Sequence, residues 1–477
     1  MRSARALASE RRVLWALMLF SFLAAVALLA GCSVAASGAN GDTSGDGSLD
    51  GGGDGGGGSG DGEVPAPPGD SSGTADDGSG GTADGGDSGS GGDGTQSGQL
   101  TAGDVDDNLN FAFFTSWISS LLQAGENSEL PAASLADRIT LRIVDGAGAP
   151  VSNAKVTITA EGSQDIVVDS CAGTDGIFRF FPAADAAASV VAAEQATTYV
   201  AAVAGPDGGS AQSVTIDPAA LTDDRAVDVT LDGVTAALPT ALDVALVIDT
   251  TGSMSDELDY LTAEFRSIVR NVSDLHPEVD MQFGLVVYRD IGDAYVTRIY
   301  DFASSVDTME TQLGDQHADG GGDYEEAVEQ GLRDGLGLSW RSGNVGRILF
   351  HVADAPPHNE NLQATLDQAF NARTAGIRIC TLAGSGVATT AEYMMRLCAV
   401  LTHGRYMFLT DDSGIGGTHA EPSVPCYIVT RLDSLMTRVI ASELAGERVE
   451  PDADEIIRTV GNYTNGVCGD TQDGQTQ

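Results

Sequence analysis

Leu242-Asp243-Val244-Ala245-Leu246-Val247-Ile248 is an almost continuous apolar run, and it leads straight into Asp249-Thr250-Thr251-Gly252-Ser253-Met254-Ser255. A strand that is apolar at nearly every position is covered on both faces, as parallel strands are. Runs of the same kind recur at residues 283–288, 348–353, 377–382 and 406–409. Helical spacings lie between them, at 256–271, 324–336, 362–374 and 390–401. Alternating strand and helix predicts an open, doubly wound α/β domain over residues 240–446.

Open α/β sheets bind ligands in the loops beyond the carboxyl ends of their strands. Asp249, Thr251 and Ser253 occupy such a loop, each two residues apart, so their oxygens can converge on one ion. A second carboxylate, Asp354, ends the run at 348–353 and opens Asp354-Ala355-Pro356-Pro357-His358. A third candidate, Asp323, closes the glycine-rich loop Asp319-Gly320-Gly321-Gly322-Asp323. Hard oxygen donors of this kind suit Mg²⁺, with Mn²⁺ or Ca²⁺ as alternatives. His358 reads as an exposed loop residue, because the two prolines before it preset a turn. Singly, each piece has a plainer reading, such as a helix N-cap. Their order on matching elements favours a shared ion.

Those three pieces resemble the metal-ion-dependent adhesion site of von Willebrand factor A domains, over about residues 241–444. The resemblance carries the family's Asp-x-Ser-x-Ser motif onto Asp249, Thr251 and Ser253, and its later aspartate onto Asp354. The family's middle threonine has no counterpart, and Asp323 falls nearest. A ligating carboxylate there would neutralise the ion and reduce its pull on a partner's carboxylate. What the resemblance implies is a Rossmann-like domain that captures a protein ligand through a divalent ion, and not an enzyme.

Catalytic signatures are missing from the sequence. The six histidines form no His-Glu-x-x-His, Ser253 is not set in Gly-x-Ser-x-Gly, and no Gly-x-x-x-x-Gly-Lys loop exists. Metal-assisted hydrolysis is a rival reading, with no general base beyond the ligands themselves. A structural or assembly role in an envelope complex is the other alternative to adhesion.

Toward the N-terminus, Arg2, Arg5, Arg11 and Arg12 precede the apolar run 13–30, the order of a secretory signal segment. Leu29-Ala30-Gly31-Cys32 resembles the lipobox of bacterial lipoproteins, which implies a signal peptide over 1–31 and a lipidated Cys32. An uncleaved anchor is the alternative, since about 20 apolar residues span a bilayer. Ser33, rather than Asp, after the cysteine implies the outer membrane in a Gram-negative cell, at its periplasmic face or the cell surface.

Residues 32–99 read as a disordered linker: Gly, Asp, Ser, Ala and Thr dominate, and from Ala35 on there is no Lys, Arg or aromatic residue. The formal charge is −45, of which the stretch through Cys32 supplies +3 and residues 33–99 supply −12, leaving −36 from Leu100 onward. So acidic a folded part disfavours nucleic acid and anionic lipid as partners and favours cations and basic proteins.

Within 100–135, an acidic start at Asp104 and apolar residues from Leu109 to Leu122 predict an amphipathic helix over 104–123. Residues 136–233 alternate in short runs (Ile139, Leu141, Ile143; Val156, Ile158; Val214, Ile216; Val227, Val229, Leu231), predicting a small β-sandwich. Val144-Asp145-Gly146, Ala149-Pro150-Val151 and Thr174-Asp175-Gly176-Ile177-Phe178 resemble carboxypeptidase-regulatory-like domains, which implies an immunoglobulin-like spacer without catalysis. Residues 447–477 are polar after Ile457 and read as a flexible tail. With Cys32 acylated, five cysteines remain and their spacing assigns no connectivity.

Overall fold

The computed structural model describes residues 98–124, 129–189 and 196–469. The expected signal segment, Cys32, residues 33–97 of the expected linker and residues 470–477 lie outside the described residues.

The first element corrects the expectation of a helix from Asp104. Thr101–Val105 is a strand, β1, buried along its whole length, and helix α1 follows at Phe111–Gln123. Helical spacing holds from Phe111 but not before it, because Gly103 contributes no side chain to any pattern and Asp104 is a hidden acid. A Cβ on Gly103 would lie 2.6 Å from the Phe408 ring, so the strand fits only as glycine. Asp104 is 3 % exposed and is met by Arg448 at 2.9 Å.

Strands β2 (Ile139–Asp145), β3 (Lys155–Ala160), β4 (Ile166–Cys171) and β5 (Ile177–Phe180) follow, then the short helix α2 (Pro182–Ala188). Strands β6 (Tyr199–Gly205), β7 (Gly208–Ile216) and β8 (Ala226–Leu231) complete this part. They form a three-stranded sheet, β5-β2-β8, and a four-stranded sheet, β4-β3-β6-β7. Ile139, Leu141 and Ile143 from one sheet and Val156, Ile158, Ala201 and Val203 from the other share one core. The alternation read from the sequence is the strand's two-residue period at work.

The large sheet is built from β9 (Ala241–Asp249), β10 (Asp280–Tyr288), β11 (Thr297–Ala303), β12 (Gly346–Ala353), β13 (Arg378–Ala383), β14 (Tyr406–Leu409) and β15 (Tyr427–Arg431). Helices α3 (Leu258–Leu275), α4 (Val306–Gly314), α5 (Val328–Leu336), α6 (Leu362–Ala375), α7 (Thr389–Leu401) and α8 (Leu432–Ala445) intervene. Strand β16 (Arg458–Val460) completes the nine-stranded order β11-β10-β9-β12-β13-β14-β1-β15-β16. The centre, β10-β9-β12-β13-β14, is parallel. Strand β1 lies antiparallel between β14 and β15, so the sheet is mixed. Its domain therefore begins before the two smaller sheets, which are inserted between α1 and β9, and it does not stop at residue 446.

Both faces of the sheet are covered. Leu242, Val244, Leu246 and Ile248 of β9 pack with α3, α4 and α8, while Ala245 and Val247 pack with α1, α5, α6 and α7. This double cover explains the unbroken apolar run. The smaller sheets dock through Arg373 of α6, which reaches both carboxylate oxygens of Asp185 at 3.1 Å.

Residues 447–469 are held, contrary to the flexible-tail reading. Strand β16 pairs with β15, a hairpin of β17 (Tyr463–Thr464) and β18 (Val467–Cys468) follows, and Cys468 is disulfide-bonded to Cys426. Cys380 and Cys398 are free and buried. Edge pairing and a covalent link leave no trace in hydropathy. Among the described residues, no helix is long and apolar enough to cross a membrane.

Candidate metal centre

Strand β9 delivers Asp249 to the carboxyl edge of the sheet with no exposed surface. The chain then turns into a short 3₁₀ helix at Gly252–Asp256, and Thr251 folds back on the strand end. Its backbone N–H and its hydroxyl both donate to Asp249 Oδ1, at 2.9 and 2.7 Å. The Ser253 hydroxyl lies 3.2 Å from that of Thr251. Asp249, Thr251 and Ser253 thus gather their oxygens as the sequence reading expects.

Asp354, at the end of β12, is 4 % exposed and near enough for its charge to act on Asp249. Burial, then the negative charge of Asp354, push the Asp249 carboxyl up to about 7. Asp249 Oδ2 makes no hydrogen bond of ordinary geometry, although the Tyr288 hydroxyl lies close enough to favour its charge. Tyr288 instead shares a 3.0 Å hydrogen bond with His351, whose burial brings the imidazole down to about 4 and keeps it neutral.

Asp323 is not part of this group. It is exposed, and its carboxylate lies instead with Asp290 and His358. The third buried carboxylate at the Asp249 group is Glu326, 2 % exposed, whose carboxyl lies close enough to the Thr251 hydroxyl and the Asp249 carboxylate to feel both. A Cβ added at Gly321 would lie 3.1 Å from Glu326 Oε1 and 3.5 Å from Thr251 Cβ, so the glycine leaves room for that approach. Burial and the charge of Asp249 drive the Glu326 carboxyl up to about 9, and its Oε2 has no hydrogen-bond partner. Sequence proximity to the glycines favours Asp323, yet the backbone decides otherwise. Glu326 N–H donates to Pro356 O at 3.0 Å, and this bridge turns the segment inward just before the buried Ala327 and Val328. An acid next to the first apolar residues of the helix is the signal that could have found it.

The rim holds a second buried network that nothing in the sequence singles out. Glu257 accepts the Ser385 N–H at 3.0 Å and lies 2.7 Å from His419 Nε2. His419 Nδ1 lies 2.8 Å from Asp411. The loop after β14 is thereby fastened to the loop after β9.

Chemically, three carboxylates and two hydroxyls crowd one sheet edge. Among the described residues, neither Asp249 nor Glu326 forms an ion pair with Lys or Arg. Oxygens of this type, with one buried carboxylate oxygen on each of Asp249 and Glu326 left over, fit a hard divalent cation.

Comparison with known proteins bears on the fold around these residues. Residues 243–408 match the model of the von Willebrand factor A domain family. The chain is 26 % identical over 154 residues to the alpha-protein kinase vwkA of Dictyostelium discoideum, covering 32 % of this chain and 24 % of that one. It is 29 % identical over 120 residues to the putative ariadne-like RING finger protein R811 of Acanthamoeba polyphaga mimivirus, covering 25 % and 12 %. The chain thus spans a quarter or less of the length of these curated relatives. Among solved structures, the conserved hypothetical protein BatB of Bacteroides thetaiotaomicron aligns with a TM-score of 0.30 at 13 % identity, over 43 % of this chain and 98 % of that one. The pilus adhesin SpaC of Lactobacillus rhamnosus GG, in its open conformation, gives a TM-score of 0.28 at 13 % identity, over 43 % and 28 %. Family match and sheet topology agree, and residues 243–408 are a von Willebrand factor A domain.

Proposed function

We propose that this domain binds a protein partner through a divalent ion, Mg²⁺ or alternatively Mn²⁺ or Ca²⁺, held by Asp249, Thr251, Ser253, Asp354 and Glu326. The observation that carries the reading is the pair of buried carboxylates, Asp249 and Glu326, that no Lys or Arg side chain neutralises among the described residues. Burying such charge is costly unless a cation compensates it. The ion supplies an electrophilic centre for an acidic group of the partner, while Ser253, exposed at the mouth, faces the side from which that group arrives. Three carboxylates offset the ion's charge, so binding rests more on the surrounding surface than on the ion alone.

The rest of the chain suits presentation. A lipid on Cys32 tethers the protein to a bacterial membrane, the outer one in a Gram-negative cell. The inserted sheets act as a non-catalytic, carboxypeptidase-regulatory-like spacer. The function is adhesion or protein binding within the envelope, without enzymatic chemistry. A pulldown from envelope extracts tests it, with the full chain as bait in Mg²⁺ and in EDTA and with Asp249→Ala alongside. A partner retained in Mg²⁺ and lost in EDTA and in the variant is expected; retention in all three arms would overturn the metal-dependent reading.

A further inference from the structure

Asp290, Asp323 and His358 come from three separate segments, and their ligand atoms lie within 4.8 Å of one another. Asp290 follows β10, Asp323 ends the glycine-rich loop, and His358 follows the two prolines after β12. His358 Nε2 and Asp290 Oδ1 are 2.8 Å apart. Neighbouring donors on an ion with bonds of about 2.0–2.1 Å lie roughly 2.9–3.4 Å apart, close to the 2.8 Å of this pair, and Asp323 completes the group within 4.8 Å.

The three segments are tied together independently of that contact. Asp293 Oδ2 accepts the Asp290 N–H at 3.2 Å and the Gly321 N–H at 2.9 Å, which clasps the turn after β10 to the glycine-rich loop. A Cβ on Gly320 would sit 2.5 Å from the same carboxylate, so the loop approaches that closely only as glycine. Glu326 N–H to Pro356 O joins the glycine-rich segment to the loop that carries His358. Glu326, which belongs to the Asp249 group, lies within electrostatic reach of Asp290 and Asp293 on the other side.

We propose that Asp290, Asp323 and His358 form a second metal site, distinct from the oxygen-lined one at Asp249, that takes a divalent ion accepting imidazole, of which Zn²⁺ is the representative. One nitrogen and two carboxylates with open positions toward solvent suit Zn²⁺ and its neighbours better than Mg²⁺. Binding exchanges the hydrogen bond between His358 and Asp290 for bonds to the ion, the imidazole offering the Nε2 lone pair while its proton sits on Nδ1. The ion's remaining positions are free for water or for a donor group of a partner.

The test uses the full-length chain in detergent with Mg²⁺ in large excess, titrated with Zn²⁺ by calorimetry in buffers of different ionisation enthalpy and with Co²⁺ by visible absorption. Uptake of one additional equivalent of Zn²⁺ is expected. His358→Ala should weaken Zn²⁺ at least as much as the roughly 10–100-fold that losing a mere supporting partner costs a metal site. Asp323→Asn, at an exposed position that cannot disturb the core, should weaken it as well. Asp249→Asn should abolish Mg²⁺ binding and leave the Zn²⁺ affinity within about twofold, which separates failure of this proposal from failure of the oxygen-lined site. Equal Zn²⁺ affinity in wild type, His358→Ala and Asp323→Asn, or no Zn²⁺ uptake by the wild type, would overturn it and leave the His358 to Asp290 contact a plain clasp.

Discussion

His419 Nε2 lies 2.7 Å from Glu257 Oε1 in the interior beside the loop after β9, and its Nδ1 lies 2.8 Å from Asp411 Oδ1. Burial pulls the imidazole down, but the hydrogen bonds to the two carboxylates outweigh it and hold His419 above its usual value. The folded state therefore binds this proton more tightly than the unfolded chain. Its contribution to stability is complete below the unfolded value of about 6.5 and is lost as pH rises through the folded one. Thermal unfolding of wild type and His419→Gln from pH 5 to 9 should show a gap that is widest at the acid end and closes upward. A gap independent of pH would mean that His419 works in its neutral form.

Arg396 holds Asp107 through bonds of 2.8 and 2.7 Å, with the two residues 1 % and 3 % exposed, and its guanidinium lies 4.0 Å from the Trp117 ring centroid. This contact pins the segment from β1 to α1 onto α7. Arg396→Ala strands a buried acid, which typically costs 3–5 kcal/mol, and should lower the melting temperature by several degrees. Arg396→Met with Asp107→Leu, which removes both charges, should recover a large part of the loss. If the single and double variants melt alike, the pair is not the clamp described here.

What was legible in the sequence follows from how each element is buried. The central strands β9, β10, β12, β13 and β14 are covered on both faces, so their hydropathy alone marks them. Strand β1 escaped because two of its five residues are Gly103 and Asp104, which occupy the sheet through a missing side chain and through Arg448 rather than through apolar surface. At the site, residues adjacent in sequence (Asp249, Thr251, Ser253) were readable from spacing. Glu326, Glu257 and His419 were not, since only the loop crossings at Pro356 and Ser385 bring them inward.

The disulfide between Cys426 and Cys468 closes a loop of sequence separation 42. On the chain-entropy account, a loop of that length is worth about 4 kcal/mol, a model-dependent figure. Replacing both cysteines by serine should release the hairpin of β17 and β18 first, seen as proteolysis near residue 460 before global unfolding. Cys380 and Cys398, with thiols pushed up to about 11 and 12 by burial, should stay silent to thiol reagents until the protein unfolds. Rapid labelling of the native wild type would show that the α7 layer opens locally.

Glu326 and Asp323 make the sharpest contrast around the proposed metal centre, because one is buried near Thr251 and the other exposed beside His358. In EDTA, Asp249 near 7 and Glu326 near 9 keep protons that the unfolded chain has released, so stability should fall as pH rises from the ordinary carboxylate range through those values. Mg²⁺ at the proposed site should reverse the sign of the local problem: it would bind the ionised carboxylates and stabilise the fold by mass action, by about 2.7 kcal/mol at a hundredfold excess over the dissociation constant. That increment should vanish in Asp249→Ala and shrink in Glu326→Gln. Asp323→Thr should keep it, since no contact joins Asp323 to the Asp249 group. Calorimetric titration with Mg²⁺ beside melting curves in Mg²⁺ and EDTA decides the matter. Unchanged Mg²⁺ affinity in Glu326→Gln together with a loss in Asp323→Thr would return the third place to Asp323, and unchanged affinity in Asp249→Ala would remove the site altogether.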